Sequence, residues 1–436
     1  MKKDNVLSLT SPESEAEDSR SVLEGLVREG ARRLLQEALE CEVEEFLERV
    51  RRDREPTEAA VAVRNGHLPD RKLVSGIGPL EVRQPRVRMR CASPVNTSET
   101  SSPGKFTSAI LPPYLRRLPG VDALIPALYL KGMSTGDCQE ALAAILGPQV
   151  VGLSAPNIVR LKAVWEDEYQ TWCRRDRRDL STQHYVYWWA DGVHFNVRLE
   201  DERSCILVLM GALEDGRKEV IAVQDGYRES KESWRDLLAD LKRRGLKQGP
   251  KLAVGDGALG FWAALAQEFA EVRGQRCWVH KTANVLDKMP KSIQSNAKKR
   301  IHDIYLAATR KDALIAFAEF VRLYTDKYPK ACACLQKDKE EMLAFYDFPA
   351  QHWPHLRSTN PIESTFATVR LRTKRTKGCG SRTATLTMVF KLALAAQKKW
   401  RRINAPQVLG KIMGGVRFKD GEEAPANQYA AEAMAA

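Results

Sequence analysis

The sequence predicts an α/β protein whose mixed-sheet core is split by an all-helical insertion and preceded by helical and small-β regions. Two observations carry this reading. The apolar period switches from helical to extended near residue 181 and returns to helical after residue 281. Between those points, three strand-like segments in a row are followed by strands alternating with helices, a pattern that a mixed sheet accommodates. Length bounds the whole: 436 residues exceed one ordinary core and suggest two or three domains of roughly 150 residues.

Apolar residues make up 43% of the chain and charged ones 29%, which excludes wholesale disorder. Sixty-nine Lys and Arg face 56 Asp and Glu, a net charge of +13, so an acidic partner is expected and nucleic acid is the commonest. The longest strongly apolar run, Cys205 to Leu213, has strand length rather than the ~18 residues of a membrane span. Met1-Lys2-Lys3 is followed by polar and acidic residues, not by an apolar signal region. Nine scattered cysteines do not form a disulfide framework, so a reducing cytosol is expected and secreted or membrane classes are excluded.

Taken in order, residues 1–20 are polar and expected to be disordered. Residues 21–91 form an N-terminal helix and a small β region. From about Ser21 to Arg52, Leu23, Leu26, Val27, Leu34, Leu35, Phe46, Leu47 and Val50 recur at threes and fours. The many carboxylates there favour a surface helix, or one that pairs with a second copy, over direct DNA contact. Arg64-Asn65-Gly66 through Arg71, Gly76, Gly78-Pro79 and Pro85-Arg86-Val87-Arg88 read as short strands and turns with a basic face. Residues 92–105, rich in Ser, Thr and Pro, are a linker. Residues 106–180 are helical again: one helix from about Val121 to Lys131, a second opened by Ser134-Thr135-Gly136-Asp137 and stopped by Gly147-Pro148, and a third from Ser154-Ala155-Pro156 through Ile158, Leu161, Val164 and Trp165. This fits a helix-turn-helix-like DNA-binding region whose last helix enters a major groove. An ordinary helical bundle fits as well.

Residues 181–281 hold the first part of the core. His184 to Asp191 and Val193 to Arg198 are β-rich, followed by Cys205–Leu213 and Glu219–Val223, with natural turns at Glu200-Asp201-Glu202 and Glu214-Asp215-Gly216. An amphipathic helix, Ser233 to Arg244, ends at Gly245. A buried strand, Lys251 to Val254, runs into Gly255-Asp256-Gly257; a helix through Phe261, Trp262, Leu265 and Phe269 and a strand near Gln275 to Val279 follow. Residues 282–350 are the helical insertion, 351–405 carry the last core helices, interrupted at Gly378-Cys379-Gly380, and 406–436 are a C-terminal tail. This order is that of a ribonuclease-H-like domain, in which the first and fourth strands lie side by side and parallel.

Three acids could then converge: Asp191 in the first strand, Asp256 at the end of the fourth and Glu363 at the start of a late helix. Phosphoryl transfer needs such a set, because two Mg²⁺ ions ~3.5–4 Å apart clamp the attacking and leaving oxygens and take oxygen ligands. Asp-Gly is also a turn signal and occurs at Asp191, Asp215, Asp225, Asp256 and Asp420. The turn reading suits Asp215, Asp225 and Asp420. One long strand through Asp191 uses every other turn signal once, with Gly192 admitting a close approach of metal or backbone. Asp256 also fits a helix N-cap, and Asn360-Pro361-Ile362-Glu363 fits a cap, a first-turn proline and a reciprocating glutamate. Against a purely structural Glu363 stands its company. From Arg357 to Arg402 there are 12 Lys and Arg and one carboxylate, Glu363, and Arg370, Lys374 and Lys377 follow it on nearly one helical face.

Asp191-Gly-Val-His-Phe-Asn-Val-Arg198, Gly255-Asp-Gly-Ala-Leu-Gly-Phe-Trp262, Cys277-Trp-Val-His280 and Ser358-Thr-Asn-Pro-Ile-Glu-Ser-Thr-Phe366 resemble the Mutator-type transposases of bacterial insertion sequences. Arg64-Asn65-Gly66, Pro85-Arg86-Val87-Arg88 and Gly132-Met-Ser-Thr135 are similar to that family too, so the resemblance covers roughly Leu23 to Arg402. It implies a DDE transposase with Asp191, Asp256 and Glu363 as catalytic, metal-binding triad and two Mg²⁺ ions, for which Mn²⁺ can substitute. Arg370 falls where such enzymes carry a basic residue on the triad helix, and Arg372, Lys374, Arg375 and Lys377 extend the expected DNA contact. Cys277 and His280 match the family's cysteine–histidine pair. Gly136 departs from it, standing where many members have arginine. The implied chemistry is cleavage at the element's ends by water, followed by attack of the released 3′-hydroxyl on target DNA. The implied partners are double-stranded DNA, both transposon ends and target, and further copies in a homodimer or larger assembly, without a membrane, in the cytoplasm at the nucleoid.

A zinc reading of Cys277 and His280 needs a second pair, Cys332/Cys334 or His352/His355; the competing reading is a structural contact to the core. Trp188, Trp189, Trp262 and Trp278 suit core packing better than base stacking. Lys398-Lys399-Trp400-Arg401-Arg402 is a solvated helix end or a phosphate patch. A catalytically silent DNA-binding protein derived from a transposase shares the basic stripe but does not require three acids. A carboxylate-pair glycosidase leaves the net charge unexplained.

Overall fold

The computed structural model describes residues 12–52, 62–89, 106–118, 155–174, 178–195, 204–226, 228–375 and 381–425, with isolated positions between 120 and 144. The chain divides into two units, Met1–Tyr129 with Met133–Val159 and Leu130–Gly132 with Arg160–Ala436.

In the first unit, helix α1 spans Pro12–Arg52 and so begins inside the stretch expected to be disordered. A proline at the first helical position followed by acidic residues favours a start there. The apolar stripe serves two ends. Leu39 and Val43 are buried, Leu39 in a small core with Leu73, Leu80, Val82 and Leu111, whereas Leu23, Leu26, Val27 and Leu34 stay exposed. Strands β1 (Ala62–His67) and β4 (Pro85–Met89) pair antiparallel, as do β2 (Arg71–Ser75) and β3 (Gly78–Val82). Gln36 ties α1 to this ladder: its Nε2 donates to the Arg83 carbonyl at 2.8 Å and its Oε1 accepts from the Arg83 N–H at 3.1 Å. The linker expected at 92–105, and most of the first two helices of the helix-turn-helix reading, lie outside the described residues. The third is α2, Ala155–Cys173, which from Arg160 onward belongs to the second unit. Much of its C-terminal half is committed to packing, because the Tyr169 hydroxyl donates to the Val223 carbonyl at 2.8 Å and the Tyr169 and Trp172 rings meet Phe390 at 5.3 and 5.1 Å.

The second unit is built on a five-stranded mixed sheet in the order β7-β6-β5-β8-β9. β5 (Tyr185–Phe195), β6 (Ser204–Leu213) and β7 (Lys218–Gly226) are antiparallel neighbours; β8 (Leu252–Gly255) runs parallel to β5, and β9 (Arg273–Arg276) parallel to β8. Helix α3 (Lys231–Arg243) follows β7, and α4 (Leu259–Glu268) joins β8 to β9. The period of two along β5 divides its side chains. Tyr187, Trp189 and Val193 enter the core shared with the inserted helices, while Trp188 and Ala190 pack with Trp234, Leu237, Leu238 and Phe261 of α3 and α4. As expected, β5 is one unbroken strand, with Asp191 opposite Val208.

Two expectations need correction. The last strand ends at Arg276, not near Val279: the Cys277 N–H closes the ladder on the Gly255 carbonyl at 2.8 Å, and the Trp278 N–H then turns away to the Arg357 carbonyl at 2.9 Å. Trp278 therefore opens helix α5 (Trp278–Leu286), and the insertion begins earlier than residue 282. β-Propensity in Trp-Val misled the reading, because the Trp278 N–H finds its partner in Arg357, far downstream in the chain. Asp225 is not a turn residue. It sits within β7 opposite Ile206, its carboxylate gripped by the Arg382 guanidinium at 2.9 and 3.1 Å.

The insertion continues through α6 (Lys291–Tyr305), α7 (Arg310–Tyr324), α8 (Pro329–Gln336) and α9 (Lys339–Met342). It returns through the short α10 (Trp353–Leu356) to α11 (Asn360–Arg375) and α12 (Arg382–Gln397). Among the described residues no helix is long and apolar enough to cross a membrane.

Trp234 is fully buried and packs edge-on against Phe261 at 4.9 Å, so it joins α3 to α4. Trp234→Ala is expected to lower the unfolding free energy by about 3–5 kcal/mol, read from the urea midpoint. A loss below about 1 kcal/mol would separate this layer from the cooperative core.

Candidate active site

Each of the three acids is held by a different kind of backbone. Asp191 is central in β5 and shares its face with Trp189 and Val193; it is 5% exposed, and its Oδ2 is buried without a hydrogen-bond partner. Asp256 follows β8 in a turn fixed from several sides. Its carbonyl accepts from Trp262 Nε1 at 2.8 Å and Arg276 Nη1 at 2.9 Å, and the Arg276 guanidinium lies over the Trp262 ring at 4.4 Å. Its Oδ1 accepts the Ala258 N–H at 2.8 Å, a turn contact two residues on; the expected helix cap is not Asp256 but Ala258, which makes no side-chain cap bond. Glu363 lies in the first turn of α11, but the cap differs from the expected Asn360. The Thr359 carbonyl accepts the Ile362 and Glu363 N–H groups, and the Thr359 hydroxyl donates to Glu363 Oε1 at 2.7 Å. The glutamate is thus oriented by the residue that starts its helix.

These charges act on one another. Burial pushes the Asp191 carboxyl up to about 7; the His280 cation pulls it down, Asp256 and Glu363 push it up, and Arg370 pulls it down. The Cys277–His280 pair belongs to the same place. The Thr359 N–H donates to Cys277 Sγ at 3.4 Å, and His280 Nε2 stands 3.7 Å from Glu363 Oε1. Hydrogen bonding to Cys277 raises His280 to about 9 against the opposing effect of burial, with help from the charges of Cys277, Asp191 and Glu363. Burial alone would raise the Cys277 thiol, but hydrogen bonds from His280 and Thr359 outweigh it and bring the thiol below its ordinary value.

Among the described residues, Cys277, His280 and Glu363 bring their ligand atoms within 4.8 Å of one another. Neither expected partner pair joins them. His352 Nδ1 pairs with the Tyr187 hydroxyl at 2.7 Å, His355 Nδ1 is 3.3 Å from Lys218 Nζ, and Cys332 packs in the insertion core. Trp188, Trp189 and Trp278 are buried core residues; Trp262 is half-buried under Arg276. Arg370 is exposed on α11 and its charge reaches Asp191. Arg372, Lys374 and Arg375 lie on the same helix, and Lys377 lies outside the described residues.

One carboxylate escaped the sequence reading. Glu229, in the bend between β7 and α3, has a side chain 15% exposed. Burial pushes it up to about 8, with Asp256 and Asp191 adding to the rise. Nothing within Arg228-Glu229-Ser230 marks it; the usable signal was Gly192, whose missing side chain admits this carboxylate rather than a metal or backbone.

A family model described as Transposase, Mutator family, matches residues 2–403 of the chain. The chain is 51% identical over 298 residues to the transposase for insertion sequence element IS6120 of Mycolicibacterium smegmatis, covering 68% of this chain and 91% of that protein. It is 50% identical over 293 residues to the transposase for insertion sequence element IST2 of Acidithiobacillus ferrooxidans, covering 66% and 96%. Among solved structures, the HTLV-2 integrase catalytic core domain in complex with magnesium aligns with 30% of this chain and 92% of that chain at 16% identity, with a TM-score of 0.17.

The raised carboxyls set a pH dependence. Asp191 at about 7 and Glu229 at about 8 bind protons more tightly folded than unfolded. Their stabilisation is complete below the ordinary carboxylate range and is lost as pH rises through those values. In EDTA the thermal midpoint is therefore expected to fall between about pH 5 and pH 8, and to fall less steeply in Asp191→Asn. An unchanged slope in that variant would remove Asp191 as a cause.

Proposed function

Because the chain belongs to the Mutator family of transposases, we propose that it binds the ends of an insertion sequence and catalyses divalent-metal-dependent cleavage and strand transfer on a ribonuclease-H-like core. One observation carries the metal reading: a nearly fully buried Asp191 whose Oδ2 lacks a partner, beside the charges of Asp256 and Glu363. Such a carboxylate is costly unless a cation meets it. The donors suit a hard ion, Mg²⁺ or Mn²⁺, which takes oxygen ligands and keeps some waters. Asp191, Asp256 and Glu363 would hold it. When bound, two such ions supply positive charge to the attacked phosphate and acidity to the nucleophile.

The protein's own part is placement. Arg276 and Trp262 hold the Asp256 turn, and Thr359 holds Glu363. No residue need become covalently attached to DNA: water attacks first at the element's end, and the released 3′-hydroxyl then attacks the target phosphodiester. Arg370 and the basic positions that follow it on α11 would neutralise phosphates next to the acids. Bringing two ends together requires at least a dimer.

Asp191→Ala, Asp256→Ala and Glu363→Ala are each expected to reduce cleavage and joining of an end-containing duplex in Mg²⁺ to background, with end binding retained in a gel shift. Persistent cleavage by Asp256→Ala would take that residue out of the site. Arg370→Ala is expected to weaken end binding and to reduce the slope of log K against log salt by about 1; an unchanged slope would exclude a phosphate contact.

A further inference from the structure

We propose that a basic cleft at the end of β8 opposite Asp256 is a second DNA-backbone site, gripping a stretch of duplex other than the one being cut. The proposal rests on the DNA-acting reading above and adds a surface to it.

The cleft encloses about 1030 Å³ and lies wholly within the second unit. One wall stands where the parallel strands begin: Lys251 precedes β8, and Arg273 opens β9. Lys251 and Asp256 therefore bracket β8, roughly 17 Å apart at ~3.3 Å per residue. A phosphate held at one is not the phosphate attacked at the other. The second wall is the start of α7, with Arg310 and Lys311. The third is the C-terminal segment. There, after helix α13 (Leu409–Met413), strands β10 (Phe418–Lys419) and β11 (Glu422–Glu423) form a hairpin around Asp420-Gly421, both at positive φ. This hairpin is fastened to the insertion. The Gly421 N–H donates to the Tyr346 carbonyl at 3.2 Å, the Ala350 N–H to the Gly421 carbonyl at 3.0 Å and the Arg310 N–H to Asp420 Oδ1 at 2.6 Å, while Phe418 is buried in the core.

Six cations line the cleft against three carboxylates. Two of the carboxylates are engaged. Asp347 meets Arg273 at 2.5 Å and Arg310 at 3.5 Å, and Asp420 takes the Arg310 N–H. Lys251, Lys311 and Lys419 are exposed, and among the described residues none of them is in an ion pair. Lys311 also stands in the first turn of α7, where the helix dipole disfavours a cation. That placement works against the helix and in favour of an anion in the cleft. The three free lysines belong to a strand start, a helix start and a hairpin. A duplex, with one charge per ~1.7 Å of axis, meets such separate cations at once. A single small anion would need them to converge.

Lys251→Gln, Lys311→Gln and Lys419→Gln together remove three exposed charges from the full-length protein and leave its core alone. Binding of a long fluorescent duplex is followed by anisotropy over a salt series in EDTA. The slope of log K against log salt is expected to fall by about 2–3 in the triple variant and by about 1 in Lys419→Gln. The loss should add to that of Arg370→Ala, as for separate surfaces. A wild-type slope in the triple variant, or losses that do not add, would overturn the second site. Two comparisons tell the failures apart. If Arg370→Ala weakens binding and the triple variant does not, the cleft alone is excluded; if the wild-type protein shows no salt-dependent duplex binding, the DNA-acting reading itself falls. A triple variant that sediments as a smaller assembly with an unchanged slope would give the cleft to a second copy of the chain and overturn the proposal.

Discussion

Crowded negative charge is the constraint on which the second unit depends. Burial is the largest influence on the Asp191 carboxyl, which is 5% exposed. The charges of Asp256 and Glu363 both act on it, opposed by His280 and Arg370. Left on mobile loops, such acids would move apart. Here each is fixed where relaxation is expensive: the middle of a five-stranded sheet, a turn with a doubly hydrogen-bonded carbonyl, and the first turn of a capped helix. Rigid scaffolding keeps the three acids from moving apart.

The second requirement is topological. Glu363 is far from the other acids in sequence, and the helical insertion intervenes. The insertion is closed at its neck, where the Trp278 N–H donates to the Arg357 carbonyl and the Thr359 N–H donates to Cys277 Sγ. Its far helices are anchored as well: Gln275 Nε2 and Trp278 Nε1 both donate to the Met342 carbonyl, and the Lys281 ammonium pairs with Asp338. The stem thus returns the chain to the strand end it left. The insertion can be long without loosening the site, because these contacts cross its base.

Much of this was legible in the sequence where chemistry is local. The extended period from Tyr185 to Phe195, the glycines around Asp256 and the proline beside Asn360 placed three acids on a strand, a strand end and a helix start. What the sequence could not show was set by partners distant along the chain. Cys277 and Trp278 resemble strand residues until Gly255 and Arg357 are seen to take their N–H groups. Asp225 resembles a turn residue until Arg382 grips it. Glu229 has no local signature at all, since its neighbours are a glycine on β5 and another on α4. In the opposite direction, Leu23 and Leu26 carry a clear periodic signal without entering the core of α1's unit, because periodicity reports a helical face and not what covers it.

The Cys277–His280 pair makes physical sense in this setting. A lone imidazolium beside Glu363 would offset part of that carboxylate's charge. A thiol moved downward and an imidazole moved upward run in the directions that an ion pair requires, and such a pair has no net charge. His280, 3.7 Å from Glu363, can steady that carboxylate. Thr359 completes the arrangement, its N–H donating to the Cys277 sulfur and its hydroxyl to the glutamate.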